Sequence, residues 1–412
     1  MNFSIFKNIF WLLAERVVQV LSAFIISGLI SRQLGVTEYG DFQYALSIIL
    51  IFSAAGLICG AEVLLPKIVS ADQKILNGLI VSGFFLRLVA SIVAYLLILL
   101  YGYIFIDSKQ MRFLLYILGL TVIFREPFAV VSVFFQSQTF SKPVAITSIA
   151  LLFFKIFALT SIYHINKVSL AVLSGIWVLE VLISSLIYGI LYIKEVKKRE
   201  ILLYCRCIDF EKIFKEGCVY WLPLILMTIF LRVDRLLVKA LTPAYDAGLY
   251  LAAMQLFDAV VSVALIISAS LAPTLIYKYS DIDKIKANTI RLILLMFGIG
   301  FISTGVGYCI SPYLVLKVFG SDFADAIPIA KTAFCISFLV FVDSAFNVYL
   351  IKCLGAKYAL IKWTLTVAIA IPVEYFLICS WGAQAAHVGI AVGYCIAILF
   401  GFYQLGIKVS YE

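Results

Sequence analysis

Charge is scarce in this sequence. Asp, Glu, Lys and Arg make up 13% of its 412 residues, about half their share in a soluble globular chain. The hydrophobic share is 64% and the mean hydropathy is +1.09. An excess of that size cannot be packed into a water-soluble core, so a soluble enzyme is excluded. Long polar segments are just as rare, and the longest, Lys194 through Lys212, falls at the midpoint. Histidine occurs twice, as His164 and His387. No Gly-x-x-x-x-Gly-Lys phosphate loop is present, so no ATP site is expected. The nine cysteines lie mostly inside apolar runs, where Cys acts as a small hydrophobe, and they do not describe a disulfide framework. Cys205 and Cys207 stand in a basic loop without a second ligand pair. Neither a metal nor a cofactor is expected.

What the sequence does have is apolar runs of membrane-spanning length. Bounded by charges, Pro or Gly, they predict twelve helices at about 8–31, 40–65, 76–104, 113–136, 144–163, 168–193, 213–238, 248–273, 289–311, 327–350, 358–379 and 386–407. The first run carries Glu15 and Arg16 and ends without a small-residue cleavage site, so it reads as a span rather than a removable leader. With Lys215 and Lys408 at helix ends included, Lys and Arg number 17 on the side holding both termini and the loops at 66–75, 137–143, 194–212, 274–288 and 351–357, against 6 on the other. The positive-inside rule therefore places both termini in the cytoplasm. The net charge of +9 is mostly topogenic, answers a negative inner leaflet, and argues for no nucleic-acid partner.

The two halves of the sequence echo one another. Phe6-Lys7 followed by Trp11 returns as Phe214-Lys215 followed by Trp221. Leu34 through Tyr39-Gly40-Asp-Phe42 returns as Leu241 through Ala247-Gly248-Leu-Tyr250, at an offset of about 207. The turn Thr139-Phe-Ser-Lys142 answers Leu354-Gly-Ala-Lys357. Six spans per half give both halves one orientation, a parallel repeat with its axis along the membrane normal. The domains expected are an N-terminal lobe at 1–193, a cytoplasmic linker at 194–212 and a C-terminal lobe at 213–412.

At Asn8-x-x-Trp11-Leu-Leu, at Ser31-Arg32-Gln-Leu34-Gly35-Val-Thr-Glu-Tyr39-Gly40-Asp-Phe42, and at Val233-Asp234-Arg235 with Ala247-Gly248-Leu-Tyr250-x-Ala252-Ala253, the chain resembles the O-antigen repeat-unit flippases (Wzx-type). These are polysaccharide exporters of the multidrug/oligosaccharidyl-lipid/polysaccharide superfamily. The resemblance implies an all-α polytopic membrane protein of twelve spans, with two six-helix lobes around a central cavity lined by spans 1, 2, 7 and 8. It also implies transport of an undecaprenyl-diphosphate-linked glycan across the bacterial inner membrane, among membrane lipids and alongside a polysaccharide polymerase and a chain-length regulator. The related peptidoglycan-precursor flippases typically add two helices and carry an arginine in span 2. This chain has no Arg or Lys between Gly40 and Leu65, which argues against a lipid II substrate.

An ionisable side chain deep in a bilayer is costly unless it is paired or wetted, so each one is a candidate for function. Span 1 carries a stripe of Asn8, Glu15, Gln19 and Ser22 on one face, with Arg16 beside it. Span 7 carries Thr228, Arg232, Arg235 and Lys239, and span 8 carries Gln255, Asp258 and Ser262. Arg87, Arg125 and Lys155 lie within spans 3, 4 and 5. A diphosphate needs fixed cations, and the guanidinium fork matches its oxygens. Sugars need amide and hydroxyl partners. Diphosphate and sugar candidates are therefore Arg16, Arg232, Arg235, Gln19, Gln255, Arg87, Arg125 and Lys155. The competing reading is that these charges pair between helices, with Glu126 and Glu180 as partners. Ion-coupling candidates are Glu15, Asp258 and Glu374. Lys331, Lys362 and Arg291 lie near expected span ends and should snorkel, and His164 and His387 should be interfacial. An organic-cation antiporter of the same fold remains the main alternative, and a membrane polymerase is disfavoured because the longest outer loop, 312–326, is short.

Overall fold

A computed structural model describes residues 3–164, 169–198 and 210–406. Linker residues 199–209, with Cys205 and Cys207, and the C-terminal Lys408 lie outside the described residues, as does the side chain of Asn8. The regular structure described is helical throughout: α1 (Phe3–Gly56), α2 (Ala61–Ser70), α3 (Gln73–Phe105), α4 (Lys109–Ser137), α5 (Lys142–His164), α6 (Leu170–Lys198), α7 (Phe210–Phe230), α8 (Val233–Leu241), α9 (Ala244–Ala272), α10 (Ile282–Val318), α11 (Ala326–Cys353), α12 (Ala356–Trp381) and α13 (Ala386–Gly406).

Among the described residues, ten helical stretches are long and apolar enough to cross a membrane. The first, Ala14–Ser70, has 57 residues and a contour near 85 Å at ~1.5 Å per residue, far beyond one hydrocarbon core of about 30 Å. It is interrupted at Gly35, whose φ of 70° and ψ of −177° are not helical and belong to a region open essentially to glycine alone. Counting that stretch as two crossings and adding the broken pair α7–α8 gives the twelve crossings expected.

Several boundaries differ from the sequence reading. The expected outer loop at 32–39 is helical on both sides of Gly35. The expected loop at 312–326 shrinks to residues 319–325, because α10 continues to Val318 and a short 3-10 turn, Ser321–Phe323, follows. Span 7 breaks at Leu231 and Arg232, and span 8 ends in a π-turn at Pro273–Tyr277, where a proline cannot supply the helical N–H.

The chain divides into two compact units, one of residues 1–34 and 45–225, the other of 35–44 and 226–412. In the first, α4 packs on α2, α3 and α6, and α5 packs on α6. Leu64, Ile68, Leu79, Ile80, Phe134 and Ile213 share its core. The start of α7 is held there by Trp221, which donates from Nε1 to the Ala54 carbonyl at 2.8 Å, and by the Lys67–Glu216 pair at 2.9 Å.

In the second unit α11 packs on α9, α10 and α13, and α12 packs on α8 and α13. Small residues set these crossings, as is usual where lipid removes the hydrophobic drive. A Cβ at Gly393 would meet the Phe230 ring, and one at Gly401 the Phe346 ring. Backbone meets backbone at the two repeat-matched glycines. A Cβ on Gly40 would lie 2.7 Å from the Gly248 Cα, and one on Gly248 would lie 2.3 Å from the Val36 carbonyl oxygen. Outward, Phe157, Ile302, Phe376 and Leu399 leave about two thirds of their surface uncovered, as lipid-facing side chains do.

Candidate functional site

The site begins where span 7 breaks. Leu231 and Arg232 make the last backbone bonds of α7, to the carbonyls of Met227 and Ile229 at 3.0 Å each. Arg232 then departs from helical geometry, with φ −133° and ψ −16°, and caps α8. The break brings two arginines onto one acid of α9. Arg232 Nη1 donates to Asp258 Oδ2 at 2.6 Å, and Arg235 Nη2 donates to Asp258 Oδ1 at 2.7 Å. Asp234 lies between them in sequence, accepts from the Tyr250 hydroxyl at 2.8 Å, and stands 3.9 Å from Arg235 Nε. Asp234 and Arg235 are buried, whereas the side chains of Arg232 and Asp258 keep 18% and 22% of their surface. One α-helical turn further on, Lys239 pairs with Asp41 at 2.6 Å. The basic stripe of span 7 is thus answered, cation by cation, by carboxylates. Gln255, nearly one turn before Asp258, is half-buried.

Glu374 is fully buried. Neither of its carboxylate oxygens has a hydrogen-bond partner among the described residues, and the same holds for Asp234 Oδ1 and His387 Nε2. α12 stays helical through Pro372, and Glu374 lies against Gly389, where a Cβ would fall 1.9 Å from Glu374 Cγ. His387, expected at the interface, is buried instead, with its ring 5.2 Å from that of Tyr250 and its Nδ1 3.1 Å from the Gln384 carbonyl.

Lys362 likewise does not snorkel. It is fully buried, bonded to Asp343 at 2.8 Å and to Asn347, with its ammonium 4.2 Å from the Trp363 ring centroid. Lys331 and Arg291 stay near the surface, the first over the Tyr308 ring at 5.1 Å, the second exposed.

In the first unit the candidates are dispersed. Arg87 is buried and donates to backbone, to the Cys59 carbonyl from Nη2 at 2.9 Å and to the Glu126 carbonyl from Nη1 at 3.3 Å. It thereby caps the interruption of span 2 between Gly56 and Ala61. Lys155 pairs with Glu180 and sits 3.9 Å from the Trp177 ring centroid, the pairing that competed with a cavity-facing role. Arg125 is exposed in the middle of α4. On span 1, Arg16 donates to Gln19 at 3.1 Å and Gln19 donates to Glu15 at 3.2 Å, so these three form one ladder.

Tyr250 and Asp343 join the buried polar groups beyond the candidates read from sequence, and Lys362 joins them against its expected place at the interface. Tyr250 carried a signal, the repeated glycine motif two residues before it; the burial of Asp343 and Lys362 carried none, because depth depends on packing. Among the described residues no group of three or more His, Cys, Asp or Glu side chains is placed to hold a metal ion.

The chain is similar to the lipid II flippase MurJ in an inward closed conformation, at TM-score 0.72 and 13% identity, covering 98% of this chain and 88% of that one. It is similar to an inward-facing multidrug resistance MATE family transporter of the MOP superfamily, at TM-score 0.70 and 12% identity over 95% and 94% of the two chains. It is also similar to a mutant form of the Vibrio cholerae MATE transporter VcmN, at TM-score 0.67 and 13% identity over 98% and 96%. At such identities the likeness shows a shared fold and nothing more. No curated protein sequence matches the chain. The family model described as "Polysaccharide biosynthesis protein" matches residues 5–277, about two thirds of the length, and this multi-pass membrane protein belongs to that family.

Proposed function

We propose that the chain is a flippase that carries an undecaprenyl-diphosphate-linked oligosaccharide, an O-antigen or related repeat unit, from the cytoplasmic to the periplasmic leaflet by alternating access. The observation that carries this reading is the paired guanidinium groups of Arg232 and Arg235 at the break of span 7, within a chain of the polysaccharide biosynthesis family. Two fixed arginines suit a diphosphate. An organic-cation antiporter would need acids unopposed by cations where a substrate can reach them; Asp258, the partly exposed acid at the break, is opposed twice, and Glu374, without a partner among the described residues, is fully buried. A polymerase is poorly accommodated by an outer segment of only 319–325 between α10 and α11.

On this reading the repeat halves at 1–193 and 213–412 are the two lobes, both termini are cytoplasmic, and the membrane is the bacterial inner membrane. A polymerase and a chain-length regulator act downstream. Arg16, Gln19, Gln255 and Arg125 are further headgroup and sugar contacts, while Arg87 and Lys155 support the first unit. On this reading, with no phosphate-loop motif in the sequence, the inward and outward states are biased by differential binding of an ion or by the membrane potential. Glu374 is the leading coupling residue because its carboxylate is buried without a partner among the described residues; Glu15 and Asp258 are the others.

The test is flipping of a labelled lipid-linked oligosaccharide in vesicles under an imposed pH gradient, a sodium gradient or neither. Arg232→Ala/Arg235→Ala should lower transport at least tenfold at normal insertion, and Glu374→Gln should make transport indifferent to the gradient that drives the wild type. Undiminished flipping by the double alanine variant overturns the assignment of the arginines.

A further inference from the structure

Asp258 occupies the place on Arg232 and Arg235 that a substrate anion would take. It presents one oxygen to each guanidinium, at 2.6 and 2.7 Å, and a diphosphate offers the same pair of charged acceptors. With Asp234 included, the four groups sum to zero charge, so an incoming anion meets no net attraction until a carboxylate is moved aside. The cluster is graded in exposure. Asp234 and Arg235 are buried, while Arg232 and Asp258 keep about a fifth of their surface, so the accessible carboxylate is the one bridging both arginines. Arg235 Nε, itself buried, has no hydrogen-bond partner among the described residues and leaves a donor to spare.

We propose that Asp258 is a built-in stand-in for the diphosphate: it holds both arginines in the unloaded carrier and is displaced from them by the diphosphate of the lipid-linked substrate. This rests on the reading of the chain as a carrier of such a lipid. The competition weakens binding by the strength of two charge-assisted hydrogen bonds, which keeps the arginines from ordinary cellular anions and lets the substrate leave when Asp258 returns.

The experiment is calorimetric binding to the full-length protein in lipid nanodiscs. Farnesyl diphosphate is the probe, with inorganic pyrophosphate and farnesyl monophosphate as separate arms. Asp258→Asn should bind farnesyl diphosphate at least tenfold more tightly than wild type, with a much smaller gain for the monophosphate, and Arg232→Ala/Arg235→Ala should abolish binding in either background. A pyrophosphate gain equal to that of the lipid would assign recognition to the headgroup alone; a gain confined to the lipid would assign it to the lipid-borne diphosphate. Both support the displacement.

If Asp258→Asn binds no more tightly than wild type while the arginine variant still abolishes binding, Asp258 merely positions the arginines. The proposal then falls and the carrier reading stands. If the arginine variant leaves binding untouched, both fall. Should Asp258→Asn not fold, Arg235→Gln and Arg235→Gln/Asp258→Asn carry the same comparison, since the second is charge-balanced by Arg232 and Asp234. Tenfold tighter binding by that double variant is again the expected result, and equal affinity overturns the proposal.

Discussion

Lys362 is the side chain whose setting differs most from what its position in the sequence implies. It lies six residues into α12, where a lysine ordinarily reaches back to the interface. Instead its ammonium is enclosed by Asp343, Asn347 and the Trp363 ring. A buried pair of this kind is held more by the cost of breaking it than by the gain of making it. Lys362→Met should therefore cost about 3–5 kcal/mol by stranding the Asp343 carboxylate. Lys362→Met/Asp343→Leu should recover to within about 1 kcal/mol of wild type, since both charges then leave together. Thermal unfolding of the purified protein in detergent checks this; equal losses for the single and double variants would mean that the pair carries no such asymmetry. The depth of Lys362 was not legible because hydropathy places a residue along a helix, whereas its partner on α11 is brought to it by packing.

Glycines in the helices are required for two kinds of cause. Gly35 adopts a backbone conformation that a side chain resists, yet a Cβ there would meet nothing within 4 Å. Gly248 is the reverse: it is helical within α9 and is confined by the Val36 carbonyl 2.3 Å from where its Cβ would stand. Gly35→Ala should cost about 1–3 kcal/mol as strain alone. Gly248→Ala should cost more, about 3 kcal/mol or above, because backbone must retreat. Thermal unfolding in detergent should rank them in that order, and the opposite order would mean the α9 contact yields without cost. Both glycines stand in the motif that repeats between halves, so this much was readable. The break at Leu231 and Arg232 was not: no Gly or Pro marks it, and the chain leaves the helix there as Arg232 and Arg235 bond to Asp258 on α9.

For the molecule as a whole, the distribution of Lys and Arg and the count of crossings make one topological statement. Three crossings lie between Lys197, at the end of α6, and Ser321, between α10 and α11: the pair α7–α8, then α9, then α10. In a cysteine-free background, Lys197→Cys should be labelled by an impermeant maleimide only from the cytoplasm, and Ser321→Cys only from outside. Labelling of both from one side would require an even number of crossings between them. Composition and hydropathy sufficed for a bundle of long apolar helices, because both are properties of sequence alone. They could not anticipate that residues 35–44 count with the second compact unit and residues 210–225 with the first, because that exchange is decided by Gly40 against Gly248 at one end and by Trp221 on Ala54 at the other.

The meeting of Gly40 with Gly248 has a historical consequence. If the halves descend from one duplicated gene, as their matching motifs indicate, these residues were once the same position in two copies of a shorter chain. Their contact was then an isologous self-contact, the kind a closed dimer places on its symmetry axis. A single glycine codon would have served both sides, and any change would have struck the interface twice. On that descent, fusion would have made Gly40 and Gly248 independently mutable; both are glycine here, so the point of assembly would persist inside one polypeptide.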